Sequence, residues 1–86
     1  MREFTYTIQN EFGIHASAAG MLAKCAESCS SHIFVSKGEK TTEATRLITI
    51  MAMAIRQGET IKITVKGEEE KKDYITICKF FNENNL

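Results

Sequence analysis

The chain contains no proline and no tryptophan, and it carries no excess of either charge: 11 Lys and Arg balance 11 Asp and Glu. Without a basic stripe the sequence argues against a nucleic-acid binder. No apolar run approaches the roughly 18 residues that a membrane helix needs. The start, Met1-Arg2-Glu3-Phe4-Thr5, lacks the basic-then-apolar pattern of a signal peptide, so the cytoplasm is the expected location. Cysteine is scarce and odd in number: Cys25, Cys29 and Cys78 do not make a disulfide framework. His, Cys, Asp and Glu show no ligand spacing, so neither a metal nor another cofactor is expected. Length bounds the rest. Eighty-six residues allow one domain, 1–86, with a single modest core.

What is present alternates and repeats in helical steps. With no proline, the five glycines Gly13, Gly20, Gly38, Gly58 and Gly67 provide the breaks. Segment 3–8 places Phe4, Tyr6 and Ile8 on one side, which predicts a half-buried strand. Ala18, Met21, Leu22, Cys25, Ala26 and Cys29 form the apolar stripe of a helix over 17–29. Ile33-Phe34-Val35 predicts a strand, 37–40 a hairpin turn and 41–43 a short third strand. Thr45 is a candidate cap for a second helix that runs to Ile55 and stops before Gly58. Ile61, Ile63 and Val65 alternate in a fourth strand. Glu68-Glu69-Glu70 opens a third helix with Tyr74, Ile77, Cys78 and Phe81 on one face, fraying from Asn82. The order βαββαβα gives an α+β open-faced β-sandwich: a four-stranded antiparallel sheet covered on one face by three helices.

Two features suggest function. From Leu47 to Ile55 only Thr49 is polar. Such a helix is either buried deeply or exposes an apolar contact face. The second feature is His15, at or just before the first helix. The leading N–H groups of a helix have no internal partner and attract anions. An imidazole nitrogen there is placed to accept a phosphoryl group whose oxygens are held by the N–H groups of Ala16 and Ser17. The plainer alternative is a loop or capping histidine. His32 reads as surface. Cys25 and Cys29, four apart on the apolar stripe, read as small packed hydrophobes in preference to a metal or redox pair.

The segment Gly13-Ile14-His15-Ala16-Ser17-Ala18-Ala19 resembles the Gly-Ile-His-Ala-Arg-Pro-Ala segment of the HPr family, the histidine-containing phosphocarriers of the phosphoenolpyruvate-dependent sugar phosphotransferase system. Thr45-Arg46-Leu47-Ile48-Thr49 stands where that family has Lys-Ser-Ile/Leu-Met-Gly, and 58–63 matches its glycine and fourth strand. The resemblance implies that His15 takes a phosphoryl group on Nδ1 from enzyme I and passes it to enzyme IIA components. It makes the chain a relay carrier, not a stand-alone enzyme, and a monomer. It also implies a docking face built from Gly20, Lys24, Leu47, Ile48 and Met51.

Three departures bear on that implication. The family arginine is Ser17, its proline is Ala18, and the regulatory serine of some members is Arg46. Serine offers a hydroxyl and an N–H but no charge. Arg46 is a candidate to restore a cation near the phosphoryl group or the partner, and it removes control by serine phosphorylation. Two functions therefore stand side by side: a working phosphocarrier, or a non-catalytic HPr-like regulatory module with impaired transfer.

Overall fold

The computed structural model describes residues 1–86. Alternation in the sequence becomes four strands: β1 (Arg2–Thr7), β2 (His32–Lys37), β3 (Lys40–Glu43) and β4 (Thr60–Lys66). Between them lie α1 (Ala16–Glu27), α2 (Leu47–Ala52) and α3 (Glu70–Glu83). The sheet order is β1-β4-β2-β3, and every pairing is antiparallel. The register sets Phe4 opposite Ile63 and Tyr6 opposite Ile61, while Val35 also faces Ile63 and Ile33 faces Val65. Because side chains alternate along a strand, this register puts all of these residues on one face.

The helices cover that face. Ile33, Val35, Ile61, Ile63 and Val65 are buried beneath Ala18, Ala19, Leu22 and Ala26 of α1 and Ile77, Phe80 and Phe81 of α3. The alanines of α1 carry little bulk, which permits a close approach to the layer below. Each fully buried Ile, Leu or Phe contributes about 1.5–3 kcal/mol of burial. Phe81 also gathers the rings of Phe4 and Tyr6 at centroid distances of 6.0 and 5.0 Å. The far face of the sheet is polar, with Thr7 and Thr60 sharing a 2.8 Å hydrogen bond and Lys62 pairing with Glu3 at 3.6 Å. The open-faced sandwich expected from the sequence is thus the fold observed. No helix is long and apolar enough to cross a membrane.

The ends of the elements differ from the sequence reading, each for a local reason. Helix α1 stops at Glu27 because Ser28 turns its hydroxyl back to the Cys25 carbonyl (2.6 Å). Arg46, not Thr45, is the cap residue of α2, without a side-chain bond. That helix ends at Ala52 instead of Ile55. Lys37 Nζ donates to the carbonyls of Met53 and Ala54 (3.0 Å each), and Ala54 adopts a left-handed φ of 51°. The tail does not fray where expected. Leu86 is only 2% exposed, and its carbonyl accepts from the N–H groups of Gln9 (2.6 Å) and Asn10 (3.1 Å).

Candidate functional site

A sharp turn delivers His15 to the head of α1. Asn10 Oδ1 accepts from the Phe12 N–H at 2.8 Å, and the Gly13 N–H donates to the Asn10 carbonyl at 2.9 Å. Gly13 has φ 66°, and a Cβ there would lie 2.2 Å from the Ile55 carbonyl oxygen. No other residue fits that space. The next N–H, from Ile14, donates to the same oxygen at 3.0 Å, while the Ile14 side chain is buried. The chain leaving α2 is therefore a rest for the turn that carries His15.

His15 is exposed and caps α1 in an extended conformation (φ −76°, ψ 177°). Its Nδ1 accepts from the Ala18 N–H at 3.4 Å. The first helical backbone bond runs from the Ala19 N–H to the His15 carbonyl at 2.8 Å. The amides of Ala16 and Ser17 lie ahead of that bond, on exposed residues. So Nδ1 sits over the positive end of a helix, with free donors beside it. The Phe12 ring stands edge-to-face with the imidazole, centroids 6.3 Å apart.

Helices α1 and α2 pack against each other and leave apolar side chains outside. Of α2, only Ile50 turns fully inward, while Leu47, Met51 and above all Ile48, 74% exposed, face solvent. Of the two alternatives for this helix, deep burial is excluded and an exposed apolar face is the one observed. Gly20 is half-buried, with open space where a Cβ would stand, and Lys24 is exposed. Arg46 is 68% exposed, and its Nε lies 4.0 Å from Glu43 Oε2.

The exposure of two apolar residues was missed by the sequence reading. Met21, assigned to the buried stripe, is exposed on α1. It lies at the edge of the helical arc, where a 3.6-residue period does not decide between core and surface. Phe12, read as loop, is 72% exposed. A large aromatic in an otherwise polar turn was the signal available for it.

The remaining reactive side chains stand apart. His32 pairs with Glu43 at 3.1 Å on the surface. Burial, followed by the charges of Asp73 and Cys25, pushes the Cys29 thiol up to about 11. Burial raises the Cys25 and Cys78 thiols as well. A protonated thiol is a poor nucleophile and a poor ligand. No group of three or more His, Cys, Asp or Glu is placed to hold a metal ion.

Comparison with known proteins bears on the same turn. The family model described as the phosphotransferase-system HPr component phosphorylation site matches residues 2–83. A phosphocarrier protein HPr of Mycoplasma capricolum is 36% identical over 69 residues, covering 80% of this chain and 78% of its own. One from Lysinibacillus sphaericus is 28% identical over 86 residues, covering 100% and 98%. Among solved structures, a Mycoplasma histidine-containing phosphocarrier protein superposes with a TM-score of 0.94 at 30% identity, covering 99% of this chain and 97% of that one. Sequence match over nearly the whole length and a shared backbone agree, and the chain belongs to the HPr family of phosphotransferase-system phosphocarriers.

Proposed function

We propose that His15 is the phosphoryl acceptor of this carrier, taking the group on Nδ1 from phosphorylated enzyme I and releasing it to enzyme IIA-type partners. The observation that carries this reading is the position of Nδ1, exposed at the cap of α1 and turned toward the leading amides of the helix. In the forward step the bond from phosphorus to the donor's imidazole nitrogen breaks, and that nitrogen keeps the electron pair. The Nδ1 lone pair of His15 forms the new bond. Little else is asked of the protein, because phosphoryl transfer depends on positioning and on stabilising the oxygens. The N–H groups of Ala16 and Ser17 supply that stabilisation at the positive end of the helix. Transfer back out requires weak, fast association. A small apolar face formed by Leu47, Ile48 and Met51 beside Gly20 and Lys24 suits it.

In this reading the chain works as a cytoplasmic monomer, and residues 1–86 work as one domain, which the single hydrophobic cluster joining helices and sheet supports. A second reading, a binding module with impaired transfer, is favoured by one feature: Ser17 provides no charge at the site. The test is phosphorylation by phosphoenolpyruvate and the cognate enzyme I, read as an acid-labile adduct by mass spectrometry. The carrier reading expects a rapid adduct that His15→Ala abolishes. No adduct, with that enzyme I active on another carrier, favours the module.

A further inference from the structure

We infer that the main-chain N–H of Ala18 changes partners during the relay, holding Nδ1 of the resting imidazole and then a phosphoryl oxygen once Nδ1 is occupied. This rests on His15 being the acceptor. Ala16 and Ser17 are exposed residues, where solvent can serve as an acceptor. Ala18 is only 2% exposed, and the one acceptor its amide has is Nδ1. A buried donor is costly to leave unmade. Yet the contact, at 3.4 Å, is longer than the 2.7–3.2 Å range of a good N–H···O bond. The donor is thus committed to the ring but under-used by it.

The ring's own chemistry fits this role. A nitrogen that accepts an N–H carries its lone pair outward, so the neutral ring holds its proton on Nε2. Nδ1 is then the nucleophilic nitrogen. When phosphorus bonds to Nδ1 the lone pair is consumed, and the Ala18 N–H loses its acceptor. The phosphoryl oxygens project beyond Nδ1 and carry charge, so the same donor gains a stronger acceptor than the one it gave up. The family segment has proline at this position and no N–H to offer. Ala18 adds a main-chain donor in the same chain that lacks the arginine at position 17. Ala18 is a positioning residue in the ring's resting state and a phosphate ligand after transfer.

The experiment follows amide resonances by NMR while the uniformly 15N-labelled chain is phosphorylated with phosphoenolpyruvate and enzyme I. The Ala18 amide proton moves downfield together with those of Ala16 and Ser17. Ala18→Pro, which removes the N–H in the first turn where proline is tolerated, shifts the phosphorylation equilibrium back toward the donor by about tenfold. Ala18→Gly keeps the N–H, so its equilibrium stays closer to the parent's than that of the proline variant. An adduct that forms while the Ala18 amide stays in place overturns the inference and leaves the carrier standing. So does an equal equilibrium for the proline and glycine variants. Failure of any adduct to form overturns the carrier reading and this inference with it.

Discussion

Position 17 decides how much charge His15 has to work with. A guanidinium there brings a permanent cation and a bidentate fork, and Ser17 brings neither. Arg46, at the head of α2, is the cation that the family resemblance points to. Its one ion-pair partner, the half-buried Glu43, is 4.0 Å away and Arg46 itself is exposed, a pairing that costs well under about 1 kcal/mol to give up. That weak tie leaves the Arg46 side chain free to reorient. Arg46→Ala should slow phosphotransfer from enzyme I about threefold at low salt, with the difference fading as salt rises. Steady-state rates at two ionic strengths check it, and equal rates would remove Arg46 from the site. His15 was visible in the sequence because Gly13, Ile14 and the following alanines mark a turn into a helix. The exposure of Phe12 and Met21 was not, because an apolar residue on a surface has no period of its own.

At the scale of elements, α2 shows best what a sequence hides. Residues 47–55 read as one unbroken apolar helix, yet the observed helix is six residues long. The difference comes with Lys37, whose ammonium holds the last carbonyls of the turn, 16 and 17 positions downstream. Breaking the helix there lets Ile55 swing inward and lend its carbonyl to the turn that carries His15. The short helix and the acceptor site are one construction. The break has a cost at Ala54, a non-glycine residue at φ 51° with an exposed side chain. A left-handed conformation costs an alanine about 1 kcal/mol, and glycine adopts it freely. Ala54→Gly should raise stability by about 0.5 kcal/mol, after glycine's greater entropy in the unfolded chain is set against the strain relieved. Urea unfolding with an unchanged slope would show it, and a lower midpoint would mean that the turn is not strained.

For the whole molecule, order and layering followed from two periodicities, but the tether between its distant parts did not. Asp73 and Ser31 are 42 residues apart, and no periodicity links them. In the fold Asp73 lies in the first turn of α3, only 4% exposed, and its Oδ2 accepts the Ser31 N–H at 2.8 Å. Gly67 allows this approach, since a Cβ there would lie 3.0 Å from Ser31 Cα. Burial opposes the Asp73 charge, but hydrogen bonds from Ser31 and Cys29 outweigh it and hold the carboxyl below its ordinary value. Of these the Ser31 amide is the bond that meets full geometry; the buried Ser31 Oγ makes none. A carboxyl depressed in the fold contributes stability that is present in full above the unfolded pKa, near 3.9 for aspartate. That contribution is lost as pH falls through the lower folded value. Asp73→Asn keeps an acceptor for the Ser31 N–H but does not titrate, so its stability should decline less steeply below about pH 4 than that of the parent. Asp73→Ala leaves the Ser31 N–H without its acceptor and should cost about 2 kcal/mol at neutral pH. Urea unfolding at about pH 7, 4 and 2.5 on all three proteins separates the two effects, and identical acid slopes for the parent and Asp73→Asn would show that this carboxylate does not couple folding to pH.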